Sequence, residues 1–210
     1  MKRIAIIGAG VLGQQIAHYI RTDQGFEPIG FFDDHVPVGT KLQLGQVLGI
    51  VNDVGRFYDD DLFDQLIIGI GYSHSDYRWK CFRQFHLKIP FLTFAHSSCF
   101  IDSTAKIGDG SFLMPGSVVD NEVIIGKNVF IQIGCSISHH STLGDNSFLA
   151  PGVKIAGFVD IGKSCFLGIG TVCIDSISVC ANTRSGAGAV VTKPIPESGL
   201  YVGIPAKRVK

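Results

Sequence analysis

A chain of 210 residues with 46% hydrophobic content can bury one large core or two small ones, which excludes a disordered segment. Lysine plus arginine balance aspartate plus glutamate at 18 each, so overall charge selects neither nucleic acid nor an anionic membrane as a partner. No apolar run approaches the roughly 18 to 20 residues that span a bilayer, and the six cysteines show no CxxC spacing; a soluble, cytoplasmic protein with reduced, packing cysteines is expected.

The opening MKRIAIIGAGVLG places two basic residues before an apolar run, but Gly8, Gly10 and Gly13 interrupt it, the pattern of a buried strand entering a turn rather than a signal peptide. KRIAII predicts a strand over residues 2–7. GAGVLGQQIAHYI follows as a glycine-rich turn opening a helix whose apolar positions are Val11, Leu12, Ile16 and Ile20. PIGFF ends at Asp33-Asp34, about 20 residues beyond the turn. QLIIGIG, residues 65–71, predicts a third strand, and a helix is expected from about Ser75 to Phe85. The order is βαβαβ, a Rossmann-like domain assigned to residues 1–96. GxGxxG alone is weak, but strand before, helix after and acidic residues at the right distance strengthen it. Backbone N–H groups at such a helix start favour phosphate, although the same turn also serves as a ligand-free bend. Only about 95 residues precede the next pattern, half of a dinucleotide fold, so a mononucleotide or nucleotide sugar fits better than NAD.

From Ile101 a strict period of six sets in. Ile101, Ile107, Leu113, Val119, Ile125, Ile131, Ile137, Leu143, Leu149, Ile155, Ile161, Leu167, Cys173, Val179, Ser185 and Val191 form one column, fourteen of the sixteen being aliphatic. The column four residues on holds small or β-branched residues throughout, Cys135 and Cys165 among them as compact hydrophobes. Alternation in a short strand points both columns inward. The remaining two positions turn the corner, and Gly or Asn fills the second of them in nine of sixteen hexads, as a positive φ demands. Such a chain coils into a parallel β-helix, here over residues 97–210 with about five coils. A sandwich is the alternative, but its strands do not hold one hexad register for so long.

GAGVLG, FFDD, IGIG, ISHHSTLGDN, IGKSCFLGIGTV and VGIPAKR together resemble the hexapeptide-repeat sugar acetyltransferases of the bacillosamine N-acetyltransferase and sialic acid O-acetyltransferase group, across nearly the whole chain. The resemblance implies a left-handed helix, a homotrimer, acetyl-CoA in the groove between neighbouring helices, and a nucleotide-linked amino sugar held by the N-terminal domain, in surface polysaccharide or lipopolysaccharide biosynthesis. It further implies His139 as general base, Phe148, Gly157, Ile169, Gly186 and Ala187 as coenzyme contacts, and Gly10, Val11, Leu12, Asp33, Asp34 and Gly71 as the sugar-nucleotide pocket. Three positions depart from the pattern: His140 follows the histidine where Glu or Asp is usual, Phe148 replaces a second histidine, and Val11-Leu12-Gly13 replaces Gly-His-Gly.

With Ile137 inward, His139 and His140 occupy a corner and project outward. Imidazole changes charge between about pH 5 and 8, the range a general base needs. His139 is expected to take a proton from a sugar amine attacking the thioester, with Gly157 one candidate oxyanion donor and His140 in support. Ser138 and Ser141 read as structural. A solvated corner pair without a role is the bland alternative, and Lys207, Arg208 and Lys210 either meet coenzyme phosphates or solvate the tail.

A zinc site is not expected, since only two histidines lie in the repeat and adjacent residues rarely ligate one zinc. Two other functions remain open: O-acetylation of a sugar hydroxyl, and a trimeric nucleotide-binding scaffold without catalysis.

Overall fold

The computed structural model describes residues 1–209. Contacts divide it into two compact units, Met1–Phe94 and Ala95–Lys210.

In the first unit β1 (Arg3–Ile7), α1 (Val11–Gln24), β2 (Glu27–Phe32), β3 (Lys41–Leu42), β4 (Gly45–Gly49), α2 (Val54–Asp59), β5 (Gln65–Ile68) and α3 (Ser75–Phe85) form a five-stranded sheet in the order β3-β4-β2-β1-β5. β1 lies between its parallel neighbours β2 and β5. The chain therefore leaves β1 towards one edge and returns to its other side, which makes the C-terminal ends of β1 and β5 the topological switch point where ligands bind in such sheets. β1 is apolar on both faces, with Ile4, Ala5, Ile6 and Ile7 fully buried, as a central parallel strand requires. The third strand is shorter than expected: Gly69, Ile70 and Gly71 leave the sheet and form the turn into α3.

The second unit is the left-handed β-helix. Strands two residues long pair in parallel every 18 residues, as in Val118↔Ser136↔Lys154↔Val172 on one face and Ile124↔Thr142↔Asp160↔Ser178 on the next. The aliphatic column is the core: Leu113, Ile131, Leu149 and Ile161 are fully buried, each stabilising the coil by roughly 1.5–3 kcal/mol. The small column carries hydroxyls without cost because each is paired. Ser111 donates to the Gly126 carbonyl (2.9 Å) and accepts from Val129 N–H (3.0 Å), and Ser141 and Ser147 repeat the pattern. Cys135 and Cys165 donate to Ala150 and Cys180 carbonyls in the same way. Burial pushes both thiols up to about 11, so they stay protonated and inert.

From Gly110 to Gly188 every second corner residue is left-handed, with φ between 54° and 74°. Eight of these positions carry a side chain, His140 and Phe158 among them, in a conformation that costs an ordinary residue about 1–2 kcal/mol.

Candidate active site

Two places concentrate polar chemistry, one in each unit. In the first unit the loops after β1, β2 and β5 enclose a cavity of about 480 Å³, a size that suits a small-molecule ligand. Gly8 and Gly10 come from the first loop, Asp33, Asp34 and His35 from the second, Gly69, Gly71, His74 and Tyr77 from the third. Gly10 caps α1 without a side-chain bond, and a Cβ built there meets nothing within 4 Å. Its backbone therefore borders open space at the positive end of a 14-residue helix.

The two aspartates have different duties. Asp33 Oδ2 accepts Ala9 N–H at 2.8 Å, and its Oδ1 accepts the N–H groups of His35 (2.8 Å) and Val36 (3.0 Å). Partial burial pushes this carboxyl up, but the three backbone donors outweigh it and hold it below its ordinary value. Asp33 thus staples the glycine-rich turn to the loop after β2. Asp34 accepts Val51 N–H at 2.9 Å through Oδ1, while its Oδ2 accepts the Tyr77 hydroxyl. Burial, then the bond to Asp34, pushes the Tyr77 phenol well above its usual range, so it stays a donor.

In the second unit the corner between the first and second faces stacks Asn121-Glu122, His139-His140, Gly157-Phe158 and Asp175-Ser176 on successive coils. His140 N–H donates to the Asn121 carbonyl and Phe158 N–H to that of His139. The two imidazoles meet through their Nδ1 atoms at 3.3 Å with rings nearly perpendicular, 84°. Phe158 stacks on His140 (4.9 Å, 27°) and stands edge-on to His139 (5.2 Å, 83°). The His139 ring rests on the bare α-carbon of Gly157: a Cβ there would lie 2.5 Å from Cε1 and 2.8 Å from Nε2. Among the described residues no group of three metal-ligating side chains assembles.

Residues 3–85 match the family model described as the PglD N-terminal domain, and residues 122–157 the model of the bacterial transferase hexapeptide, six repeats. The chain is a hexapeptide-repeat acyltransferase with a PglD-type N-terminal domain. The acetyltransferase domain of PglB from Neisseria gonorrhoeae has the same fold, with a TM-score of 0.91 at 23% identity over 100% of both chains. A histidine-to-alanine mutant of GDP-perosamine N-acetyltransferase from Caulobacter crescentus, solved with CoA and GDP-perosamine, reaches 0.92 at 26% identity over 100% of this chain and 98% of that one. WeeI from Acinetobacter baumannii AYE reaches 0.83 at 26% identity over 100% of each. A search of curated proteins found no match.

In this acyltransferase the expected pocket residues Gly10, Asp33, Asp34 and Gly71 come together, but Val11 and Leu12 do not line the cavity. Val11 is 86% exposed, because the first residue of α1 turns away from the sheet. His35, His74 and Tyr77, not singled out beforehand, follow from the rule that loops at the carboxyl ends of parallel strands form the pocket. The expected coenzyme residues divide three ways. Gly157 touches His139; Ile169, 60% exposed, shares another corner column with Ala187, just after Gly186. Phe148 is only 5% exposed, its ring stacked between Phe130 (5.2 Å) and Phe166 (5.9 Å) on the third face, away from the imidazole pair. The Phe130 ring is stacked on it and the Phe166 ring is tilted to it by 31°. Of the three C-terminal cations, Lys207 and Arg208 form an exposed strand, Arg208 reaching Glu197 at 3.2 Å; Lys210 lies outside the described residues.

Replacing Asp33 by Ala is expected to lower the melting temperature at pH 7 by a few degrees, from loss of about 1 kcal/mol after solvent screening. Because the folded carboxyl titrates below its unfolded value of about 3.9, its contribution is present above that pH and disappears as pH falls through the lowered folded value. Melting curves of both proteins should therefore converge in strong acid.

Proposed function

We propose that this acyltransferase moves an acetyl group from acetyl-CoA to the amino group of a nucleotide-linked amino sugar, of the 4-amino-4,6-dideoxyhexose kind. One observation carries the reading: a protein similar over the whole of this chain, at 26% identity, was solved with both CoA and GDP-perosamine. The cavity at the switch point of the N-terminal unit supports it as the seat of the nucleotide, with the α1 N-terminus facing phosphate and Asp34, Tyr77, His35 and His74 as the polar groups that fix the nucleoside. His139 is assigned as general base, and Gly157, Ile169, Gly186 and Ala187 as coenzyme contacts in a groove between helices of a homotrimer.

The chemistry needs no acyl-enzyme. Amine and thioester held in one ternary complex react directly, which replaces a bimolecular encounter with a positioned one. As the nitrogen attacks the carbonyl, its proton passes to His139 Nε2; the tetrahedral intermediate collapses with cleavage of the C–S bond, and the same proton leaves with the thiolate as CoA thiol. An amine is a better nucleophile than a sugar hydroxyl and asks less of the base, which favours N- over O-acetylation.

The test is incubation of the protein and acetyl-CoA with a panel of UDP-, dTDP- and GDP-linked amino sugars, alongside sialic acid, reading thiol release and product mass. Acetylation of at least one nucleotide amino sugar, with a mass gain on nitrogen, is the expected result. Transfer to sialic acid alone, or coenzyme binding without transfer to anything, overturns it. Light scattering of the same sample is expected to give three chains.

A further inference from the structure

His140 occupies the position next to the proposed base, and its chemistry differs from that of a carboxylate: an imidazole nitrogen is either a donor or an acceptor, never both at once. The Nδ1 atoms of His139 and His140 lie 3.3 Å apart, and a hydrogen bond between them needs a hydrogen on one ring and a lone pair on the other. We propose that His140 is a positioning residue, a neutral imidazole whose Nδ1 accepts the Nδ1–H of His139 and so leaves His139 Nε2 unprotonated and available as base. This rests on the acetyl-transfer reading, which asks for a bare Nε2 on His139 and so sets the direction of the bond; the geometry supplies the Nδ1···Nδ1 contact.

The orientation of His140 is held from three sides. Its backbone is fixed in the left-handed region at φ 59°, with its N–H on the Asn121 carbonyl. Its ring lies against Phe158, itself left-handed at φ 57° and 57% exposed. Two bulky side chains in a conformation that glycine or asparagine adopts at less cost are an outlier in the sense that invites a functional reading. The charged groups on the coils packed against the pair are Asp120 and Glu122 before it and Lys154 and Asp160 after it. Asp120 Oδ2 accepts the backbone N–H of His139 at 3.3 Å and Asp160 accepts from Thr142, and none of the three carboxylates, Glu122 included, forms a hydrogen bond to an imidazole. The imidazole of His140 is thus the acceptor this corner offers to His139 Nδ1.

When Nε2 of His139 gains a proton, its Nδ1–H becomes a cationic donor, and a neutral acceptor strengthens that bond. His140 therefore holds His139 in the Nδ1–H tautomer and in the ring orientation that presents Nε2 throughout the reaction.

The test is a long-range ¹H–¹⁵N titration of the full chain, with His139→Ala used for assignment, on wild type, His140→Ala and His140→Asn. Expected for wild type near pH 8 is His139 protonated at Nδ1 and bare at Nε2, with His140 the reverse. His140→Ala should let His139 populate both neutral tautomers and reduce turnover about 10-fold or more, while His140→Asn, whose Oδ1 is an acceptor, should restore the single tautomer and bring turnover to within about threefold of wild type. A wild-type His139 ring protonated at Nε2, or a tautomer ratio that does not change in His140→Ala, overturns the proposal. Because the titration needs no substrate, failure to acetylate any nucleotide sugar would sink the function reading without deciding this one.

Discussion

The variant His139→Ala is expected to lose turnover by about 10²–10⁴-fold, the usual contribution of a positioned general base, or about 2.7–5.5 kcal/mol of transition-state stabilisation. Its affinity for the nucleotide should be unchanged, because every residue lining the cavity proposed for the nucleotide belongs to the other unit. His139→Asn separates chemistry from packing. It keeps a planar side chain over the bare Gly157 and beside Phe158 but supplies no nitrogen that accepts a proton near neutral pH, so it should be as slow as alanine. Steady-state rates with saturating acetyl-CoA, together with calorimetric nucleotide titrations, distinguish the outcomes. A rate within a few fold of wild type in both variants refutes the assignment of the base. A rate loss in alanine that asparagine restores assigns His139 to packing of the corner instead.

How far this was legible beforehand depended on how local the signal was. The β-helix could be read because each hexad repeats the same steric problem: Leu149 must face in, and Gly152 must bend with φ 71°. Phe158 was missed although its signal was present. Sorting the second corner residue by edge separates the three columns. One is Gly116, Gly134, Gly152, Gly170 and Gly188; another is Gly110, Asn128, Asn146, Ser164 and Asn182; the third reads Thr104, Glu122, His140, Phe158 and Ser176, without a glycine or an asparagine. The edge on which turn residues are not chosen for ease of turning is the edge that carries the imidazoles. Gly157 was assigned from resemblance alone, whereas its physical reason, space for the His139 ring one coil away, exists only once 18 residues make a coil. Phe148 was named on resemblance alone, and its neighbours Phe130 and Phe166 are also 18 residues distant, so the ladder of rings that flanks it is invisible along the chain. In the N-terminal unit the fingerprint located the turn, but Val11, expected in the pocket on resemblance, is 86% exposed and does not line the cavity, since the first residue of a helix has no preceding turn to hold it inward.

Gly13→Ala is expected to disable the N-terminal unit, although alanine is favoured over glycine within a helix by about 1 kcal/mol. A Cβ at residue 13 would lie 1.9 Å from the Gly8 carbonyl oxygen, and Gly69 in turn would place one 2.5 Å from the Gly13 α-carbon. Three backbones, those of α1, the turn after β1 and the turn after β5, thus meet where no side chain fits, and none of them is a flexible tip that can swing aside. Relief requires α1 to withdraw from the sheet. That motion pulls on Ala9, whose N–H holds Asp33, and opens the cavity floor at Gly8 and Gly69. Overpacking typically costs about 1–3 kcal/mol and more where backbone is the obstacle, which lowers the melting temperature of a domain this size by about 10 °C or more. Nucleotide affinity should fall at least tenfold. Gly10→Ala is the contrast, since its Cβ meets no protein atom within 4 Å and its φ of −71° suits any residue. That variant should melt as wild type does and yet bind nucleotide more weakly, because the space its methyl enters is the space assigned to the ligand. If Gly10→Ala binds as tightly as wild type, the first glycine-rich turn bends the chain and nothing more, and the nucleotide must be held elsewhere in the cavity.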